Sequence, residues 1–300
     1  MSIFDKAVVS LMPLVPKAIV GRVARPYIAG DTLDDGVATV RTLMAEGCRA
    51  TMDVLGEEVT RNEETVAFTE MYLETLDRIA REDIDANISI KLSALGQQIA
   101  PDLCEQNVHR IMDRAVALGS YVRLDMEDSS TTDDTLAHYR RLRGEYDNVG
   151  VVLQSMLHRS LDDIRSLLPL KVSVRVCKGI YLEPESIAYR DREKVRENFM
   201  AMVELLLQND CYVGIATHDR RLIQRSFELV ERMGLSKDRY EFQMLLGVLP
   251  SLRREIMAAG HRLRVYVPYG EAWYAYSTRR LKENPAVAGH VFRAMFSLKK

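Results

Sequence analysis

Eight short runs rich in β-branched and aromatic residues recur along the chain, each bounded by turn residues. They are CRATMDVLG from Cys48, NISIKLSAL from Asn87, YVRLDMED from Tyr121, VGVVLQS from Val149, KVSVRVCKG from Lys171, YVGIATHD from Tyr212, YEFQMLLG from Tyr240 and HRLRVYVPYG from His261. Between them the period changes. EETVAFTEMYLETLDRIA and EKVRENFMAMVELLLQN place apolar residues at steps of three and four, the signature of helices with one buried face. Strand starts recur at roughly 21 to 41 residues, which suits βα units near 30 residues. The shortest intervals, after Val149 and before His261, leave room only for short helices. This alternation predicts an α/β fold, a closed (β/α)8 TIM-like barrel over residues 46–300, with a helical extension over residues 1–45. An open doubly wound sheet is the alternative. No GxGxxG follows any strand, which counts against a dinucleotide-binding Rossmann domain.

Strands covered on both faces should be almost wholly apolar. Several of these are not. Lys91 interrupts SIKLS. Arg123, Asp125 and Glu127 alternate and so share one face. Gln154 ends the fourth strand, and Arg175 and Lys178 lie in the fifth. Thr217 and His218 end the sixth, Gln243 lies in the seventh and Tyr266 in the eighth. An unpaired buried charge costs several kcal/mol, so each needs a partner or a ligand. Any single one reads equally well as a structural ion pair. Most of the set falls toward the C-terminal strand ends, where barrel enzymes carry their sites, and that favours a ligand site.

Composition removes other classes. The hydrophobic fraction is 47%, and 41 basic residues nearly balance 43 acidic ones, so there is no electrostatic footprint for nucleic acid. The four cysteines form no CxxC pair and read as reduced, mostly buried thiols. No apolar run reaches the ~18 residues of a membrane span. The apolar start, broken by Pro13, Pro16 and Lys17, suits a docking helix or a weak membrane-surface segment rather than a secretory signal.

Lys91, Arg175 and Lys178, with Arg279 and Arg280 near the C-terminus, outnumber the carboxylates expected to face them, so an anionic ligand is expected. No metal site is expected, because only His218 of six histidines ends a strand. GxSxG and P-loop motifs are absent. EAWYAYSTRRLKEN reads as a helix from about Glu271, stopped at Asn284-Pro285. Arg279 and Arg280 could be a basic helix end, or could converge on a ligand with Glu283 bracing either one; Lys282 fits a solvated charge. Their place directly after the eighth strand favours the clamp.

Seven segments, SIKLSALG, VRLDMED, VLQS, VSVRVCKGIY, IATHD, VYVPYG and YSTRRLKEN, occur in an order and spacing that resembles the proline dehydrogenase family, from about Cys48 onward. The resemblance implies a distorted barrel holding FAD at its C-terminal face. It implies a monofunctional enzyme that moves a hydride from proline C5 to flavin N5, gives Δ1-pyrroline-5-carboxylate and passes electrons to a quinone. Carried over to this chain, Met126, Gln154, Lys178, Gly179, Ile180, Thr217 and His218 would touch FAD. Arg175 would lie near N5, and Asp125 would orient the active-site charges. Lys91 would stand on the substrate side, Arg279 and Arg280 would hold the proline carboxylate, and Tyr181 and Tyr266 would wall the ring. It further implies a cytoplasmic location with possible peripheral membrane contact, and a separate pyrroline-5-carboxylate dehydrogenase downstream. The residues alone leave two rivals: a Schiff-base lyase or aldolase using Lys91 or Lys178, and a non-catalytic carboxylate-binding barrel.

Overall fold

A computed structural model describes residue 21, residues 24–56 and 59–274, and residue 277. Within them lie eight parallel strands: β1 Arg49–Val54, β2 Ala86–Ile90, β3 Val122–Leu124, β4 Val149–Gln154, β5 Ser173–Cys177, β6 Tyr212–Ala216, β7 Tyr240–Leu245 and β8 Leu263–Tyr269. Each pairs with the next, and β8 pairs with β1, from Arg49 opposite Arg264 to Val54 opposite Tyr269. The eight runs read from the sequence are therefore the strands of one closed barrel, and the open sheet is excluded.

Among the described residues eight α-helices surround it: α1 Leu33–Ala45, α2 Asn62–Arg81, α3 Pro101–Ala117, α4 Thr132–Glu145, α5 Ser160–Leu167, α6 Arg192–Gln208, α7 Arg220–Arg232 and α8 Pro250–Ala258. The two connections expected to be cramped carry the two shortest, α5 and α8. Local chemistry starts several of them. Thr32 and Asp35 form a reciprocal capping box at α1. Asp191 and Asp219 cap α6 and α7 by accepting hydrogen bonds from backbone N–H groups of the first turn. Pro101 opens α3, where its missing N–H costs nothing.

Alternation along the strands explains the mixed composition. One set of positions, including Ile88, Ile90, Val122, Leu124, Val151, Val174, Val176, Val213, Ile215, Phe242, Val265 and Val267, joins the helices' apolar faces in a continuous buried layer. The other set points into the lumen and is largely polar: Thr51, Asp53, Ser89, Arg123, Gln154, Arg175, Glu241, Gln243 and Arg264 are all nearly buried. The apolar core is thus the ring between strands and helices, and the barrel interior is a column of hydrogen bonds.

Candidate active site

Arg175, near the middle of β5, is the hub of that column. Its Nη1 donates to Asp125 Oδ1 at 2.7 Å, its Nη2 to the Ser89 hydroxyl at 3.2 Å and its Nε to Gln243 Oε1 at 2.6 Å. These partners sit on or just beyond β3, β2 and β7, none of which neighbours β5, so the contacts can form only across the lumen. Asp125 follows the last residue of β3 and takes a second hydrogen bond from the Tyr266 hydroxyl at 2.7 Å. The Tyr266 ring lies under the guanidinium, 5.2 Å from its centre, a cation–π contact. Burial first, and the Asp125 carboxylate second, raise the Tyr266 pKa well above the ordinary phenol value, so this O–H stays a donor at any physiological pH.

Lys91 follows β2 and donates to Asp53, a fully buried carboxylate of β1. Burial alone would weaken the ammonium's hold on its proton. Asp53, with Tyr72 and Asp125 behind it, outweighs that and raises the Lys91 pKa above the usual lysine value. The amine is held charged.

A second cluster lies past the ends of β5 and β6. Asp219 Oδ2 accepts from Lys178 and from Arg196 Nε, both at 2.8 Å. Burial opposes charge on Asp219, but these two donors prevail and hold its carboxyl at about 2. Thr217 Oγ1 accepts from the Asp219 N–H, and His218 Nε2 accepts from the Leu245 N–H at 2.9 Å, which makes its imidazole neutral with the proton on Nδ1. Gln154 ends β4 with its amide N–H donating to the carbonyls of Met126 and Glu127, at 3.2 and 2.9 Å. Its Oε1 is buried and has no hydrogen-bond donor among the described residues. Gly179 turns the chain at φ +93°, where a Cβ would meet the Met156 sulfur at 2.5 Å. Ile180 is exposed, and half-buried Tyr181 packs on Met156, Leu157, Ala188 and Val195.

The structure thus brings Asp125, Arg175 and Tyr266 into direct contact, sets Met126 beside Gln154, and gathers Lys178 with the Thr217-His218-Asp219 turn. Arg279, Arg280 and Glu283 lie outside the described residues. Glu127 does not share a face with Arg123, because β3 ends at Leu124; Glu127 instead accepts from Ser93 N–H and Oγ. The expected surplus of strand cations over carboxylates does not hold either. Lys91, Arg175 and Lys178 each face an aspartate: Asp53, Asp125 and Asp219. Asp53, Ser89, Asp219 and Arg196 went unread, as did the buried Arg264–Glu241 pair deeper in the barrel, joined at 2.7 Å. Asp53, Glu241 and Arg264 break the apolar rule for strands as plainly as Lys91 does, so alternation alone could have marked them.

The family model for proline dehydrogenase matches residues 37–293. The chain belongs to the proline dehydrogenase family. It is 38% identical over 277 residues to proline dehydrogenase of Deinococcus radiodurans, covering 91% of this chain and 89% of that one. It is 35% identical to proline dehydrogenase 1 of Bacillus subtilis strain 168, covering 91% and 90%. Among solved structures it superposes on proline utilization A of Bdellovibrio bacteriovorus with a TM-score of 0.83 at 25% identity, covering 88% of this chain and 32% of that one. The proline dehydrogenase reading from the sequence is therefore correct.

Proposed function

We propose that this proline dehydrogenase uses FAD, bound across the C-terminal mouth of the barrel, to oxidise L-proline to Δ1-pyrroline-5-carboxylate, and that its electrons pass to a quinone. The observation that carries the reading is the Arg175–Asp125–Tyr266 group, locked across the lumen, together with a buried Gln154 oxygen that has no hydrogen-bond donor among the described residues. An amide oxygen with no protein donor suits an imide N–H such as that of an isoalloxazine ring. Met126, Gln154, Lys178, Gly179, Ile180, Thr217 and His218 would hold the cofactor, and Arg175 would lie against its reacting edge. When bound, the flavin supplies the acceptor for the hydride.

The chain's own residues supply orientation and charge. Arg175 presents a guanidinium, fixed by three hydrogen bonds, where negative charge would accumulate. Lys91 is held as an ammonium by Asp53. The proline amine must be neutral before its C5 hydrogen can leave as hydride. Arg279 and Arg280 would grip the proline carboxylate in bidentate fashion, and Tyr181 and Tyr266 would bound the ring, so that distance and angle are set before reaction. A Schiff-base lyase needs a neutral lysine, and Asp53 holds Lys91 charged. Membership of the proline dehydrogenase family supports the oxidation over that rival.

Among the described residues no helix is long and apolar enough to cross a membrane. We place the enzyme in the cytoplasm, with at most peripheral contact with the membrane holding the quinone, and expect a separate pyrroline-5-carboxylate dehydrogenase to consume the product. The deciding experiment is an anaerobic spectrum. The purified protein should absorb at about 450 nm and lose that band when proline is added. A colourless protein, or a band indifferent to proline, would sink the proposal. The Bdellovibrio relative is described as inactivated by N-propargylglycine. The same compound should inactivate this chain, and proline should protect it.

A further inference from the structure

We propose that Gln243 is a positioning residue for Arg175, tying the site's guanidinium to the buried Glu241–Arg264 pair so that its plane is set by charges deep in the barrel. The inference rests on the reading of Arg175 given above. Gln243 lies on β7 and Arg175 on β5, with β6 between them, so the amide must cross the inner face of β6 to reach its partner. At that crossing β6 carries Gly214, the register partner of Arg175 on one side and of Glu241 on the other. A Cβ at Gly214 would stand 2.6 Å from Gln243 Nε2 and 2.9 Å from its Cδ. The glycine is the gap through which the amide passes.

Both ends of that amide are committed. Oε1 accepts from Arg175 Nε at 2.6 Å, and Nε2 donates to Glu241 Oε1 at 2.7 Å. Glu241 Oε1 also accepts from Arg264 Nε at 2.7 Å, and Arg264 Nη1 donates to the Ala50 carbonyl at 2.6 Å. A cation at one end and a carboxylate at the other leave the amide one orientation. The described contacts of Arg175 divide accordingly. Asp125 and Ser89 hold the terminal nitrogens, and Gln243 alone among the described residues holds Nε. Two terminal contacts still allow the planar group to rock. A third, at Nε, removes that freedom. The residue type follows from the partners. A glutamate would set a second carboxylate beside Glu241, and a leucine or methionine would leave the Nε–H of a buried cation unpaired.

The test separates this claim from the reading beneath it. Solvent exchange of the Arg175 Nε–H, followed by 15N NMR on the full chain as purified, should quicken by at least about tenfold in Gln243→Met. Gly214→Ala, which leaves Gln243 in place but pushes on its amide, should move exchange the same way. In turnover with proline, Gln243→Met should lower kcat by about tenfold while KM stays within about threefold, since the proposed carboxylate grip is made by Arg279 and Arg280. Exchange unchanged in both folded variants overturns the proposal. So does a loss of activity that merely follows the unfolded fraction. If the wild type itself is not reduced by proline, the functional reading fails, and the exchange measurement alone decides the role of Gln243.

Discussion

Asp125 is satisfied from two sides, by Arg175 and by Tyr266. Tyr266→Phe keeps a ring beneath the guanidinium and removes only the hydroxyl, so it isolates the second contact. Unfolding free energy should fall by about 1.5–3 kcal/mol in a denaturant titration, the usual cost of a lost hydrogen bond to a charged group. Proline turnover should fall with it, by about tenfold, as Asp125 loses one of the bonds that fix it. Deeper down, Glu241→Leu leaves Arg264 buried and unpaired, and should cost about 3–5 kcal/mol by the same measurement. Replacing both, Glu241→Leu with Arg264→Met, should recover most of that loss, since the penalty lies in the orphaned charge. If the double variant is no better than the single one, the pair does more than neutralise itself. At this scale the sequence is legible in part. A charge inside an apolar strand announces itself, as Lys91 and Arg175 do. Its partner does not, because Arg175 meets residues two and more strands away, across a lumen that no local pattern describes.

Among the elements, strand centres are readable and strand ends are not. VRLDMED looks like seven residues of β3, yet only Val122–Leu124 pair, and the chain leaves the sheet at Asp125. The alternation that places Asp125 inside the barrel therefore misplaces Glu127. Helix starts are clearer, since Asp and Thr at the caps carry their own mechanism. Asp219 does two jobs: Oδ1 accepts from the Arg221 N–H at the start of α7, while Oδ2 takes Lys178 and Arg196. Its folded pKa of about 2 lies below the ordinary 3.8. A carboxyl depressed in this way adds stability above pH 3.8, and that contribution is lost as pH falls toward 2. Lys178 is partly exposed, so screening trims the effect to about 1–2 kcal/mol at neutral pH. Asp219→Asn should be less stable than wild type at pH 7 in urea, and the gap should narrow toward pH 2. A gap that stays constant across that range would mean the carboxylate's charge is not what matters.

For the whole molecule, counting strands and spacing them near the βα period was enough to reach the barrel. Strand counting says nothing of the segment that carries Arg279 and Arg280, which lies outside the described residues. The proposed roles of Arg279 and Arg280 rest on sequence order and family likeness. The proposed flavin, if held by residues from several strand ends, should also stabilise the folded state as a whole. Stripping the flavin should lower Tm, and returning it at about a thousand times its Kd should restore about 4 kcal/mol. Calorimetry across a flavin titration checks this. A Tm that ignores flavin would argue that the strand-end residues hold something else.

The closure of β8 on β1 leaves no strand of the barrel with an unpaired edge. The chain's two described ends also meet, since Gly21 approaches Trp273, and Ala24 and Ile28 share a small cluster with Leu55 and Trp273. Topologically, then, the point at which the polypeptide enters the ring is arbitrary. A gene that linked Gly21 to Ser277 and opened the chain in the turn near Gly234, between α7 and β7, would encode the same ring from a different starting strand.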